Sequence, residues 1–287
     1  MEIKQIGKIS PGQDGAIHGS ILFRFDTKGN CTVYDISKLT EEDNAEGEPI
    51  AHFTLDRAEI LVPHSNAVCF GCEYYEEGDE YPLLYTNVYN NYARNENKMI
   101  GTTLVYRIQR DGDIFISKLV QIIEIGFTEN QELWKAYVDK HGDRPYGNFL
   151  IDNESSSYWA FVMRSENLGT RYFRFDLPSV FDGKMDDSLN VRRVVLRKND
   201  IREYFDCQYH RFIQGAALYG GKIYSTEGFS RDSVNRPAIR IIDLATAEEK
   251  YFDITELGLV NEPELIDFYC GKCFYSDAHG NFYSVEF

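Results

Sequence analysis

The sequence predicts an all-β protein, a five-bladed β-propeller built as a single domain over residues 1–287. Three observations carry this. The composition favours strands, a hairpin unit recurs along the chain, and the last copy of that unit is one strand short in a way the N-terminus can complete. Aromatic residues make up 14% of the chain, with 20 Tyr and 19 Phe, residue types that suit a pleated, half-buried surface. The length is enough for one large core.

The repeat is clearest near the end. QGAALYGGKIYSTEG, from Gln214, aligns with ELIDFYCGKCFYSDA, from Glu264, at a spacing of 50. Each reads as strand, Gly-containing tight turn, strand, which is a hairpin. Upstream copies start near Gln13 (QDGAIHGSILFRF), His64 (HSNAVCFG) and Tyr146 (the RPYGNFLID stretch). Each is followed by a further β-rich run, such as TVYDI (32–36), LVYRI (104–108) and YFRFDL (172–177). Recurring β meanders of this length mark propeller blades.

Taken in order, blades start near 13, 64, 146, 214 and 264. The last copy leaves room for three strands only. EIKQIGKI (2–9) supplies the fourth, which closes the ring and removes an exposed sheet edge. TENQELWKAYVDK reads as a short helical insertion near 128–140, with Thr128 as cap and Gln131 three residues on. KNDIREYF (198–205) reads as a second short helix. ISKLVQIIEIG reads as an outer strand of blade two. A six-bladed ring, with a further blade between 110 and 145, is the alternative.

Inner strands begin on one face, here the upper one. Their first residues are Gln13, His64, Tyr146, Gln214 and Glu264, and Pro63, Pro145 and Pro263 precede three of them. Proline donates no ladder bond and suits the entry to a strand. Two residues further along, on the same facing, come Gly15, Asn66, Asn148, Ala216 and Ile266. The ends of second strands and the entering loops add Asp14, Asn87, Tyr89, Asn90, Arg144, Arg164, His210, Arg211, Glu227, Glu262 and Asp277. Such a mixture of acids, amides, Arg, His and Tyr is the composition of a site for a polyhydroxylated or charged small ligand. Polar, water-filled channels without a ligand share it.

Hydrolysis of a glycosidic bond needs two carboxylates, one acid and one base or nucleophile. Asp14, Glu227 and Glu264 are the candidates, with Gln13, His64, Asn66, Asn87, Arg144, Tyr146, Arg164, His210, Arg211, Gln214 and Glu262 as ligand-binding candidates. A uronate lyase would instead use Tyr146 or His64 as base. In architecture this arrangement resembles the five-bladed furanosidases, arabinanases and their relatives. That resemblance implies acids drawn from separate blades around a central pocket. It is one of layout, and blades two and three carry His64 and Tyr146 where such an enzyme would carry acids. The expected function is therefore a carbohydrate-engaging propeller, as a glycoside hydrolase or lyase at the top of the channel, or a noncatalytic ligand- or protein-binding scaffold. Tyr74, Tyr75, Tyr81, Tyr85, Tyr89 and Tyr92 in blade two suit sugar stacking or protein contact.

The six cysteines include two CxxC pairs, Cys69/Cys72 and Cys270/Cys273. They fall in the same turn of blades two and five, which blade one separates, so a shared four-thiolate zinc site is not expected. A Cys207–His210 dyad is not expected either, since strand residues three apart face opposite sides, though a loop there would permit one. No metal or cofactor is assigned. The net charge of −16 repels phosphate backbones and argues against nucleic acid. No stretch approaches the ~18 apolar residues of a membrane span. The N-terminus lacks the apolar core of a secretory signal, and with Met1 as the start a cytoplasmic protein is expected.

Overall fold

A computed structural model describes residues 1–39, 46–88, 101–125, 148–165, 167–210 and 212–287. The helical insertion expected near 128–140 lies outside the described residues. Among the described residues there are five sheets. Blade one contains β2 (Gly15–His18), β3 (Ile21–Phe25), β4 (Asn30–Asp35) and β5 (Ala51–Thr54). Blade two contains β6 (Val68–Phe70), β7 (Leu84–Val88), β8 (Thr102–Asp111) and β9 (Ile114–Ile125). Blade three contains β10 (Phe149–Asp152), β11 (Ser157–Ser165), β12 (Gly169–Asp176) and β15 (Glu203–Cys207). Blade four contains β16 (Ile213–Tyr219), β17 (Lys222–Glu227), β18 (Ala238–Asp243) and β19 (Glu249–Asp253). Blade five contains β20 (Pro263–Tyr269), β21 (Lys272–Asp277) and β22 (Asn281–Glu286), completed by β1 (Glu2–Lys8). The innermost strands touch in a closed circuit, β2 to β6 to β10 to β16 to β20 and back to β2.

The ring closes as the sequence predicts. β1 pairs antiparallel with β22, with Glu2 opposite Glu286 and Lys8 opposite Asn281. The aligned turns are also one structure. Tyr219 faces Lys222 across Gly220-Gly221, and Tyr269 faces Lys272 across Cys270-Gly271. All four turn residues have positive φ, from 49° to 75°, as the two-residue type I′ hairpin requires. The two strands share a second irregularity. The pairing slips by one residue between Ile213 and Gly215 and again between Pro263 and Leu265. Gln214 and Glu264 are thus the extra residues of equivalent β-bulges.

Two elements differ from expectation. The run 198–205 is not a helix. Lys198–Asp200 is one 3-10 turn, and the chain then enters β15, where Phe205 faces Tyr172 and Tyr204 faces Phe173 of β12. Cross-strand aromatic pairing outweighs the weak helical pattern. Between β12 and β15 the chain also leaves its own blade. It forms β13 (Lys184–Asp186) and β14 (Val191–Leu196), and β14 runs parallel to β9. Among the described residues, the sheet of blade two therefore has six strands.

The core fills the seams between blades. Between blades one and two, Phe23 meets Phe70, Tyr81 and Phe115 at centroid distances of 5.2, 5.2 and 5.6 Å. All four rings are buried, each contributing roughly 1.5–3 kcal/mol. Of the Tyr cluster in blade two, Tyr81 and Tyr85 are core residues, 2% and 0% exposed, while Tyr74 is exposed.

Candidate functional site

Of the polar side chains expected near the upper end of the axis, Asp14 and Glu264 are among those described and are closed in. Asp14 and Glu264 are 1% and 2% exposed. Asp14 Oδ2 accepts from the Val68 backbone N–H at 2.9 Å, and Glu264 Oε1 accepts from Gln13 Nε2 at 3.2 Å. Arg24, also buried, interacts electrostatically with both, and its Nη2 donates to the carbonyls of Gly12 and Asp277 at 2.9 and 3.1 Å. Among the described residues, Asp14 Oδ1, Glu264 Oε2 and Arg24 Nε and Nη1 have no hydrogen-bond partner. Burial pushes both carboxyls well above the ordinary range despite the opposing Arg24 charge. Burial likewise lowers Arg24, against the pull of Glu264 and Asp14.

The neighbouring amides are tied to one another. Asn87 Nδ2 donates to Asn66 Oδ1 and Asn148 Oδ1 at 2.6 and 3.0 Å, stitching blades two and three. Gln214 Nε2 donates to Glu262 Oε1 at 2.6 Å, and burial raises the half-buried Glu262 carboxyl. His64 is half-buried, and burial lowers its pKa. Arg144, Tyr146, Arg211, Tyr89 and Asn90 lie outside the described residues, as does the side chain of Arg164 in β11.

Glu227 and His210 are not on the axis. They sit in the seam of blades three and four. Arg240 holds Glu227 there, and His210, fully buried, places Nε2 3.6 Å from Cys207 Sγ and 3.4 Å from Glu249 Oε2. For Cys207 and His210 this corrects the opposite facing expected of strand residues and realises the loop exception. β15 ends at Cys207, so the strand rule no longer governs His210, and the loop brings the two side chains together. Burial and the Glu249 charge push the Cys207 thiol well up. Among the described residues, these three are the one group of His, Cys and acids with donor atoms within 4.8 Å of each other. The CxxC cysteines do not gather, and all six cysteines are free.

Among the described residues, an open space on the axis lies at the opposite, lower end. A cavity of about 290 Å³ is bordered by the inner strands of all five blades, among them Ile17, Cys69, Ile151, Ala217 and Asp267. Asp267 is its carboxylate. Oδ2 accepts from the Ile17 backbone N–H at 2.7 Å and Oδ1 from that of Phe268 at 2.8 Å. Burial nonetheless raises its pKa to about 7. Aromatic rings frame the mouth: His18, Phe70, Tyr74, Tyr219 and Phe268, with Tyr219 stacked on Phe268 at 4.4 Å and 6°. The sequence names Tyr74 here as suited to stacking, but Asp267 sits mid-strand among apolar residues and gives no signal. A larger groove of about 430 Å³ between blades three and four is lined by Trp159, Phe205, Ile242 and the paired Arg174 and Glu203. It is mostly apolar, and among the described residues the buried indole Nε1 of Trp159 has no hydrogen-bond partner.

No family model and no curated protein matches the chain. Solved structures do. Glutaminyl cyclase from Myxococcus xanthus aligns over 100% of this chain and 96% of its own, with a TM-score of 0.50 and 11% identity. BamB from Moraxella catarrhalis aligns over 98% of this chain and 58% of its own (TM-score 0.34, 9% identity). Hydrazine synthase from Kuenenia stuttgartiensis aligns over 92% and 61% (TM-score 0.39, 12% identity). At these identities the first likeness speaks to fold alone, and it agrees with the five-bladed ring. Among the described residues no helix is long and apolar enough to cross a membrane.

Proposed function

We propose that the protein is a noncatalytic binding propeller that takes a small polyhydroxylated, sugar-like ligand in the lower axial cavity. The observation that carries this reading is one carboxylate, Asp267, set in a small cavity rimmed by aromatic rings. A sugar ring presents hydroxyls to such a carboxylate and C–H faces to such rings. Each Asp267 oxygen accepts one backbone N–H and keeps acceptor capacity for a hydroxyl. The volume of about 290 Å³ is at the small end for ligand pockets and suits a monosaccharide. The upper acids favour structure over turnover. Glu227 is paired with Arg240, and Asp14 and Glu264 are closed off from solvent.

The test is titration calorimetry of the full chain against a panel of monosaccharides, with Tyr219→Ala and Asp267→Asn alongside. Tyr219 is 43% exposed, so its variant folds. Binding by the wild type that weakens at least about tenfold in Tyr219→Ala supports the reading. No binding by the wild type, or binding indifferent to both substitutions, removes it.

A glycoside-active enzyme is the second reading. It is favoured by two carboxyls held well above their ordinary range, Asp14 and Glu264, as a general acid requires. Release of a chromogenic aglycone by the wild type, and its loss in Glu264→Gln, would establish it. An inert wild type would exclude it.

A further inference from the structure

We propose that Cys207, His210 and Glu249 form a zinc site in the seam between blades three and four, with a fourth coordination position left for water. The three come from separate places. Cys207 closes β15, His210 follows in the loop, and Glu249 opens β19 of the next blade. Their donor atoms already stand at ligand spacing. Zinc–sulfur and zinc–nitrogen bonds of ordinary length at a tetrahedral angle give an S···N edge of about 3.5 Å, and nitrogen with oxygen gives about 3.4 Å. The structure has 3.6 Å from Cys207 Sγ to His210 Nε2 and 3.4 Å from His210 Nε2 to Glu249 Oε2.

The surroundings orient the donors. His210 Nδ1, the nitrogen turned away from the other two, faces the Tyr172 hydroxyl at 3.5 Å and Glu227 Oε1 at 4.0 Å. A ligand histidine commonly presents its second nitrogen to such partners, which fix its tautomer. The His210 backbone N–H donates to Thr170 Oγ1 at 2.9 Å, and Glu249 Oε1 accepts from the Gln208 N–H at 3.0 Å, while Oε2, which also accepts from Arg240 Nη1, keeps a second lone pair for the metal. Charge also balances. A Cys207 thiolate, Glu249 and Glu227 against Arg240 and a divalent ion sum to zero, with Arg240 Nη1 3.2 Å from Glu249 Oε2. The mixed sulfur, nitrogen and oxygen set selects zinc over magnesium or calcium. Cys207 is partly exposed, and a cavity of about 350 Å³ edged by Gln208, Glu227, Arg240 and Tyr251 lies alongside. Metal binding proceeds with release of the Cys207 proton to solvent.

The experiment uses the full chain, stripped with a chelator and then titrated with Co(II) and with Zn(II). One equivalent of Co(II) should give a sulfur-to-cobalt charge-transfer band and the strong visible bands of a tetrahedral site, both displaced by Zn(II). Cys207→Ser should abolish the charge-transfer band, and Glu249→Gln should weaken Zn(II) affinity by about tenfold or more. Cys72→Ser, at an exposed thiol, should leave both intact. Circular dichroism checks that each variant is folded. A folded wild type that binds no Co(II) at one equivalent overturns the proposal, and so does a band that survives in Cys207→Ser or vanishes in Cys72→Ser.

Discussion

Arg240 grips Glu227 with a fork, Nε to Oε1 at 2.6 Å and Nη2 to Oε2 at 3.3 Å, where both side chains are at most 7% exposed. The same guanidinium lies 4.9 Å from the Tyr251 ring centre. The pair joins β17 to β18 and, through Glu249, to β19. Removing one member of a buried pair strands the other charge. Arg240→Ala is expected to cost about 3–5 kcal/mol, read as a lowered urea midpoint at unchanged slope. A cost under about 1 kcal/mol would show that water reaches this seam.

The axial acids set a pH dependence. Burial raises the Asp267 pKa from 3.8 to about 7, so in that window the folded chain holds a proton the unfolded chain has released. Its contribution is greatest below its ordinary pKa and is lost as pH rises through about 7. Asp14 and Glu264, raised in the same direction, add to the slope. Stability is expected to fall from about pH 4 to about pH 7, with Asp267 supplying about 2–4 kcal/mol of the change. Urea midpoints across that range should decline in the wild type and less steeply in Asp267→Asn. Parallel profiles would mean that Asp267 is ionised in both states.

The matched hairpin turns make a conformational prediction. Gly221 and Gly271 have φ of 71° and 75° with no close obstruction to a Cβ, so only backbone strain opposes a side chain. Gly221→Ala and Gly271→Ala should each cost about 1 kcal/mol. Cys270, at φ 49°, already bears such strain, and Cys270→Gly should be neutral or slightly stabilising. Thermal midpoints of the three variants decide it.

Ring closure predicts a non-local effect. Deleting residues 1–8 removes the partner of β22 and bares that strand's edge. The truncated chain should melt well below the full one in a single transition, and should self-associate through the open edge. Light scattering with melting curves tests both. A monomeric truncation with an unchanged midpoint would mean that the closure adds little.

Much of the ring was legible because its repeats keep local signals. The Gly-Lys turns at 221–222 and 271–272, the alternating strands around them and the short fifth blade are all read from neighbouring residues. What escaped depends on distant ones. β15 looked helical because its strand character rests on facing Tyr172 and Phe173 of β12. β14 has no signal of its partner, since β9 lies far upstream in the chain. At the site, the burial of Asp14 and Glu264 was not foreseen, because alternation tells facing and not how tightly five strands converge. Glu249 carries no spacing relation to Cys207 and His210; adjacency of two blades alone brings it there.

The parallel pairing of β14 with β9 has a mechanical consequence. By chain order that segment belongs to the third blade, and by hydrogen bonding it belongs to the second. Neither blade can peel away without tearing the other, so this side of the ring is interlocked like a clasp. Loosening under load should therefore start at the seams this strap leaves uncrossed, and hydrogen exchange would reveal it there first.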